Sequence, residues 1–270
     1  MAPDFLYGTA WKEDDTRRCV RDALAAGFRA IDTANQRRHY SEAGVGEALA
    51  DWFVEHPRAD LFLQTKFTYQ RSQDHRLPYD PAAPLPERVV QSVRSSLAHL
   101  HTEYLDAYLL HGPSVRVGLG PDDHAVWQTM EQLYEEGTLL QIGVSNVRAD
   151  QLRALLDRAS VKPAFVQNRC YARTGWDADV RAICHENGIT YQGFSLLTAN
   201  RVTWGHKETA RIARSHGATP AQVIFQCAIR LGILPITGTT DPAHMAQDLD
   251  SRALALSEVD VDAVTRIEAP

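Results

Sequence analysis

The 270-residue sequence contains little lysine. Lysine occurs at four positions, Lys12, Lys66, Lys162 and Lys207, and arginine supplies the rest of the 28 basic residues. There is no long basic run and the net charge is −6, so the sequence lacks the basic patch typical of a nucleic-acid-binding surface. A lysine is therefore conspicuous where it ends an apolar stretch, as Lys66 does in "LFLQTK".

Cysteines and long apolar stretches are also few. The four cysteines form no C-x-x-C pair, and their spacing matches no zinc site. There is no signal peptide and no apolar run of about 18 residues that would suggest a membrane helix. From these absences we expect a cytoplasmic protein with reduced cysteines, no metal ion and no nucleic-acid or membrane partner.

The sequence also lacks the glycine-rich turn that follows the first strand of dinucleotide-binding doubly wound sheets. The first apolar stretch is followed by "GTAWKEDDT", which contains one glycine. The string "GVGEAL" at residues 44–49 lies within a predicted helix, where its glycines would permit close packing. An open doubly wound sheet is therefore the second choice of fold.

Short apolar strands alternate with amphipathic helical stretches along the whole chain. Eight such units within about 250 residues are typical of a closed parallel barrel. The sequence therefore predicts one (β/α)8 TIM barrel domain over residues 1–270. The predicted strands are residues 5–9, 28–32, 61–66, 105–111, 140–146, 164–168, 189–195 and 232–237, and the predicted helices are 14–26, 42–55, 86–100, 123–136, 149–159, 176–187, 219–231 and one after 241.

Three polar residues mark predicted helix starts. Asp14, Ser41 and Asp150 precede helical runs and are predicted N-caps.

Residues 67–85 form a long proline-containing loop after the third strand. Such a loop is either functional or a tolerated surface insertion, and the sequence alone leaves both interpretations open.

Polar residues end several of the predicted strands. Asp32, Lys66 and His111 end the second, third and fourth strands. Each alone has an ordinary structural explanation, such as a helix cap or a buried histidine. Active sites of barrels lie at the carboxyl ends of the strands. A carboxylate, an ammonium group and an imidazole on three successive strands therefore indicate a catalytic site at this end of the barrel.

The order of motifs resembles that of the aldo-keto reductase superfamily. The strings that carry the resemblance are "GFRAIDTA…EAGVGEAL", "LQTKF", "SLAHLHTEYLDAYLLHGP", "IGVSN", "FVQN" and "PITGTTDPAHMAQDL". The resemblance implies a barrel that reduces carbonyl compounds with a nicotinamide cofactor and without a metal. It also implies a catalytic tetrad of Asp, Tyr, Lys and His, and Asp32, Lys66 and His111 match three of its members.

The expected chemistry suits these residue types. Hydride addition to a carbonyl carbon places negative charge on the oxygen, which requires a proton donor within hydrogen-bond reach. A free tyrosine has a pKa near 10, and we expect the ammonium group of Lys66 to lower the pKa of a neighbouring phenol. Asp32 would keep Lys66 charged, and His111 would position the substrate oxygen.

The tyrosine of the tetrad does not fall at the position that the resemblance implies. Arg37 occupies that position when residues are counted forward from Asp32, and His39 occupies it when they are counted back from Val45. Tyr40 is one residue later, within the loop "QRRHY". We expect Tyr40 to be the proton donor, with His39 as the alternative.

The resemblance also implies the cofactor-binding residues. Ser145, Asn146 and Gln167 would hold the nicotinamide carboxamide, Phe194 would stack on the ring, and Gly8 and Thr9 would line the pocket floor. The remaining expected cofactor contacts are Ser195, Leu197, Gly238, Thr239, Thr240, His244, Gln247 and Asp248.

The adenosine 2′-phosphate end lacks two cations that the resemblance implies. Gly238 and His244 stand where the family often has lysine and arginine, which leaves the hydroxyls of Thr239 and Thr240 and the N–H groups of the helix that begins near Asp241. NADPH is expected ahead of NADH because the family favours it.

The expected function is NAD(P)H-dependent reduction of an aldehyde or ketone to an alcohol by a monomer. The alternative is a cofactor-binding barrel with little turnover that serves as a regulatory or sensing module. The expected substrate is a small carbonyl compound. Aromatic residues that could line its pocket or pack in the core are Trp11, Phe67, Tyr69, Trp176 and Trp204.

Overall fold

Eight short parallel strands close into a barrel in the computed structural model, which describes residues 3–269. Each strand pairs with its neighbours in chain order, and β8 pairs with β1 to close the barrel. The prediction of a (β/α)8 barrel is therefore confirmed. The strands are β1 Leu6–Gly8, β2 Ala30–Asp32, β3 Phe62–Phe67, β4 Ala107–Leu110, β5 Ile142–Ser145, β6 Phe165–Arg169, β7 Thr190–Phe194 and β8 Ile233–Thr237.

The α-helices surround this barrel. They are α1 Thr16–Ala26, α2 Glu42–Trp52, α3 Leu85–Leu100, α4 Pro121–Glu135, α5 Ala149–Leu156, α6 Ala178–Glu186, α7 Arg201–Trp204, α8 Lys207–Ser215, α9 Pro220–Arg230, α10 Pro242–Asp250 and α11 Glu258–Thr265. The sequence prediction placed no helix over residues 196–218, where α7 and α8 occur. The buried residues Thr209, Ile212 and Ala213 of α8 lie on one face at helical spacing, a signal that the prediction missed.

One of the three predicted caps is confirmed. The hydroxyl of Ser41 accepts a hydrogen bond from the Gly44 N–H at the start of α2. The predictions for Asp14 and Asp150 are wrong, because α1 begins only at Thr16, and α5 already begins at Ala149. The carboxylate of Asp150 instead binds the side chain of Arg148 and the N–H of Gly118.

Alternate residues along the strands face opposite sides, as strand geometry requires. One set, which includes Ile31, Leu63 and Val166, belongs to the large core cluster that also contains residues of the surrounding helices. The other set, which includes Ala30, Phe62 and Phe165, forms a separate cluster drawn from strand residues and fills the inside of the barrel. On each of these strands, the residue two positions after the interior apolar residue, nearer the carboxyl end, is polar.

Gly46 of "GVGEAL" allows α2 and α3 to approach closely. A Cβ atom at this position would lie 1.7 Å from the carbonyl oxygen of His99, so any side chain would force the two helices apart. The packing explanation of this glycine is confirmed. The same contact holds α2, which follows directly after the Tyr40 loop, against its neighbour.

The long loop between β3 and α3 is bound to the loops on both sides of it. Gln36 donates its amide N–H to the Ser72 carbonyl oxygen at 2.8 Å, and Gln73 donates to the Asn35 carbonyl oxygen at 2.7 Å. On the other side, the guanidinium group of Arg71 donates to the Pro113 carbonyl oxygen at 2.9 Å. The loop therefore connects the loop that carries Tyr40 with the loop that follows His111, which favours the functional interpretation.

Candidate active site

Asp32 and Lys66 form an ion pair at the carboxyl ends of β2 and β3. The Lys66 Nζ atom lies 2.7 Å and 2.8 Å from the two carboxylate oxygens of Asp32, and it donates a third hydrogen bond of 2.7 Å to the Thr33 carbonyl oxygen. Both side chains are buried. Burial lowers the pKa of Lys66, and the Asp32 carboxylate opposes this effect by favouring the charged ammonium group.

Tyr40 lies beside this pair. Its backbone N–H donates to the Gln36 carbonyl oxygen at 3.0 Å, so the loop turns back before α2 begins. The Lys66 Nζ atom lies 5.5 Å from the centroid of the Tyr40 ring. Burial and the Asp32 carboxylate raise the pKa of Tyr40 above its usual value. The expectation that Lys66 lowers this pKa is not met, because burial disfavours the charged phenolate and Asp32 places a negative charge nearby.

His39 points to a different neighbour. Its imidazole ring lies 3.8 Å from the ring of Trp11, centroid to centroid, and its carbonyl oxygen accepts from the Trp11 N–H at 2.7 Å. Trp11 is 70% exposed and has a φ of 61°, an unusual backbone angle for a large residue. Burial and the neighbouring Arg38 lower the pKa of His39. His39 thus packs on the rim of the site, next to Trp11.

His111 completes the group from the end of β4. Its ring centroid lies 6.0 Å from that of Tyr40, and its Nδ1 atom lies 2.7 Å from the Thr68 hydroxyl. Burial, together with Lys66 and His39, lowers the pKa of His111 to about 3. The imidazole is therefore neutral at physiological pH and can donate one hydrogen bond. If Thr68 donates to Nδ1, the imidazole proton is on Nε2.

The expected carboxamide-binding residues lie on adjacent strands. Ser145 and Gln167 are register partners of β5 and β6, and the Ser145 hydroxyl donates to the Gln167 carbonyl oxygen at 2.7 Å. Asn146 is exposed, and its amide donates to the His111 carbonyl oxygen at 2.8 Å. The Gln167 side chain donates to Asp32 Oδ1 at 3.0 Å. The remaining amide oxygens of Asn146 and Gln167 suit a donor such as a carboxamide NH2 group.

The other expected cofactor contacts differ in how exposed they are. Phe194, Ser195 and Leu197 are half-buried at and after the end of β7. Gly8 has little space for a side chain, because a Cβ atom would lie 3.0 Å from Ile236 Cγ2. Thr9 is buried, and its hydroxyl donates to the Asp32 carbonyl oxygen at 3.1 Å, so this hydroxyl supports β2 internally.

The residues after β8 are mainly exposed. Gly238, Thr240 and His244 are exposed, whereas Thr239 and Gln247 are half-buried. Asp248 is buried and accepts a hydrogen bond of 2.6 Å from the Thr237 hydroxyl, so it supports the end of β8 from within.

The start of α10 has few free donors for a phosphate. Pro242 has no N–H group, and the Ala243 N–H donates to the Asp241 carboxylate at 2.8 Å. Of the N–H groups expected to face an anion, that of Ala243 is therefore already bonded within the protein. The carboxylate of Asp241 also lies 4.0 Å from His244 Nδ1, which places a negative charge at the expected phosphate end.

Sequence reasoning missed Lys12 at this end of the site. Lys12 is buried, and its Nζ atom donates to the Gly238 carbonyl oxygen at 2.8 Å. Burial lowers the pKa of Lys12. The proximity of Lys12 to Gly238 could have been predicted from the sequence. In a closed barrel β8 pairs with β1, which brings Gly238 next to the loop that contains Lys12.

The aromatic candidates for substrate contacts fall into two groups. Phe67 and Trp176 are buried in the core. Tyr69 is also packed, since its hydroxyl donates to Asp123 at 2.8 Å. Trp11 and Trp204 are exposed and remain as candidates.

Two classes of feature are absent from the described part of the chain. Within residues 3–269, no three or more His, Cys, Asp or Glu side chains are placed together so that they could hold a metal ion. In the same range, no helix has both the length and the apolar character needed to cross a membrane.

Comparisons with known proteins identify the family of this chain. The profile described as "Aldo/keto reductase family" matches residues 6–269. The chain is 32% identical to deoxymugineic acid synthase 1 of Oryza sativa subsp. japonica over 92% of this chain and 80% of that protein. It is 29% identical to an aldo-keto reductase of Mycobacterium avium over 93% of this chain and 81% of that protein.

Solved structures give the same result. An aldo/keto reductase from Brucella melitensis superposes with a TM-score of 0.82 and 29% identity, covering 98% of this chain and 95% of that one. The aldose reductase of Giardia lamblia superposes with a TM-score of 0.81 and 26% identity, covering 98% of this chain and 92% of that one. The chain therefore belongs to the aldo/keto reductase family.

Proposed function

We propose that this chain reduces an aldehyde or ketone with Tyr40 as the proton donor. As a member of its family, the chain is an NAD(P)H-dependent oxidoreductase that acts on carbonyl compounds. The cofactor, when bound, supplies the hydride that adds to the carbonyl carbon. The assignment of Tyr40 as the donor rests on the position of its ring. The ring centroid lies 5.5 Å from the Nζ atom of Lys66, which is ion-paired with Asp32.

Each residue of the group has a separate role in this proposal. Neutral His111 donates a hydrogen bond to the substrate oxygen and so fixes its position before reaction. The phenol of Tyr40 stays protonated in the resting enzyme because burial raises its pKa. It transfers its proton once the substrate oxygen has become an alkoxide, which is a stronger base than a phenolate. The positive charge of Lys66 then stabilises the phenolate that remains.

Residues Ser145, Asn146 and Gln167 would hold the nicotinamide carboxamide, and Phe194 would contact the ring through its π face. Lys12 lies at the other end of the site, where it would attract the cofactor phosphates. We propose that NADPH is preferred over NADH by only a small factor. The reasons are that Gly238 and His244 supply no permanent cation and that Asp241 opposes an added phosphate.

The quaternary state and the compartment are further proposals. We propose that residues 1–270 act as one monomeric domain in the cytoplasm. All four cysteines are free and buried, as suits a reducing compartment. Size-exclusion chromatography with light scattering would test the monomer, and a dimer peak at micromolar concentration would contradict it.

The experiment that tests the function follows NADPH absorbance with a panel of aldehydes and ketones of increasing size. We expect turnover of at least one member of the panel, with product alcohol formed in equal amount to the cofactor consumed. The comparisons give no support to the alternative of a regulatory barrel with little turnover. Tight cofactor binding without any turnover across the panel would instead favour the regulatory barrel.

A further inference from the structure

Four polar side chains cross the inside of the barrel, one layer away from Lys66. They are Asp32, Gln64, Gln167 and Gln192, from strands β2, β3, β6 and β7, and all four are buried. Asp32 and Gln64 are register partners, as are Gln167 and Gln192. The interior of a barrel of this type is usually filled by branched apolar residues, so three glutamines in one layer need an explanation.

These side chains form one closed hydrogen-bond network. Gln64 and Gln192 make a reciprocal amide pair, in which each Nε2 atom donates to the Oε1 atom of the other at 2.9 Å. Gln64 also donates to Asp32 Oδ1 at 2.6 Å. Gln167 donates to Asp32 Oδ1 at 3.0 Å and to Gln192 Oε1 at 2.9 Å.

The network fixes which way each amide points. A carboxylate only accepts hydrogen bonds, so the Gln64 and Gln167 groups that face Asp32 must be their Nε2 atoms. Both hydrogens of Gln167 Nε2 are used, one on Asp32 and one on Gln192. The only hydrogen-bonding atom that Gln167 has left is Oε1, which is an acceptor. A rotated amide would place this oxygen against the Asp32 carboxylate.

We propose that Gln64 and Gln192 are positioning residues, which hold Gln167 as a fixed hydrogen-bond acceptor for the nicotinamide carboxamide. Gln192 acts through Gln167, and Gln64 acts by holding Gln192 and Asp32. The proposal rests on the proposed function, because it needs the carboxamide next to Gln167. It links the cofactor site to the Asp32–Lys66 pair through side chains that face the barrel interior.

The test is a double-mutant cycle on cofactor affinity, measured by fluorescence titration of the full chain with NADPH. Gln192→Met removes the acceptor from Gln167 without touching the cofactor site directly. We expect it to weaken NADPH binding about three- to tenfold, the effect of one neutral hydrogen bond. In a Gln167→Met background, the same substitution should have no further effect, because the residue through which it acts is gone.

Gln226→Met is the matched control. It removes a buried glutamine from α9, outside the network, and should leave NADPH affinity unchanged in either background. Unchanged affinity in Gln192→Met, or equal weakening with and without Gln167, would overturn the proposal. If Gln167→Met itself leaves affinity unchanged, the placement of the cofactor in the proposed function is wrong instead.

A second measurement needs no variant and so does not depend on the folding of one. The 3-acetylpyridine analogue of the cofactor carries an acetyl group in place of the carboxamide and has no N–H to donate. Gln167 would then face it with an unpaired acceptor, and we expect binding about tenfold weaker than that of the matching natural cofactor. Equal affinity for the two would mean that Gln167 is free to turn, which would contradict the proposal.

Discussion

Lys66 gives all three of its hydrogen bonds to groups of the protein, two to the Asp32 carboxylate and one to the Thr33 carbonyl oxygen. It therefore influences Tyr40 through space, across 5.5 Å to the ring centroid, and not through its own donated hydrogen bond. Its role in our account is to stabilise the phenolate as the proton leaves. This role depends on charge at short range in a buried site.

The first prediction concerns the charge of Lys66. Lys66→Met should lower kcat/KM by at least about a hundredfold, in the range typical of a lost general-acid contribution. It should also destabilise the fold, because Asp32 is left as a buried carboxylate without a counter-ion.

The double variant Asp32→Asn, Lys66→Met separates these two effects. We expect it to recover most of the melting temperature, since no unpaired charge remains, but none of the activity. Steady-state kinetics and thermal unfolding of both variants are the measurements. Recovery of activity together with stability would mean that Lys66 serves the fold alone.

The second prediction concerns Asp248 and pH. Burial raises the pKa of Asp248 to about 6, well above its usual value. Near pH 5 the folded protein holds a proton here that the unfolded chain has released, so this contribution to stability is lost as pH rises through about 6. Asp248→Asn stays neutral and can still accept from Thr237. It should be about 1–3 kcal/mol more stable than wild type at pH 8, and the difference at pH 5 should be about half as large.

Urea unfolding of wild type and variant at both pH values measures this difference. Asp250→Asn, on the same helix but exposed, is the control and should follow the wild-type pH trend. A constant difference between Asp248→Asn and wild type from pH 5 to pH 8 would show that Asp248 is not protonated in the folded protein.

The third prediction concerns cofactor choice. His244→Arg introduces a permanent cation that can bind a 2′-phosphate through two hydrogen bonds. It should raise the ratio of kcat/KM for NADPH over NADH by about tenfold, mainly by lowering KM for NADPH. Asp241→Asn should shift the ratio in the same direction by a smaller factor. Unchanged ratios in both variants would mean that the 2′-phosphate binds elsewhere.

Most of the fold could be predicted from the sequence, because the strands are short apolar runs separated by helical patterns. The positions of Asp32, Lys66 and His111 followed from strand ends, since a barrel brings these ends together. Gln64 and Gln192 could not be selected, because a glutamine within a strand gives no sign of the residue opposite it. The direction of the pKa shift of Tyr40 also depends on the folded structure, namely on burial and on the nearby Asp32 carboxylate.

Tyr40 as the proton donor is the central claim, and His39 is its rival. The structure brings Tyr40 close to Lys66 and His111, whereas His39 packs against Trp11. If Tyr40 is the donor, Tyr40→Phe should lose nearly all reduction while NADPH affinity stays within about twofold, since the phenol contributes mainly to the transition state. His39→Ala should change KM more than kcat, because His39 lies at the rim.

The most direct measurement is kcat and KM of Tyr40→Phe and His39→Ala side by side, with NADPH affinity determined by fluorescence titration on the same preparations. We expect an inactive Tyr40→Phe that still binds NADPH, and a His39→Ala variant with kcat close to that of wild type. An active Tyr40→Phe together with an inactive His39→Ala would contradict this expectation and assign proton donation to the histidine.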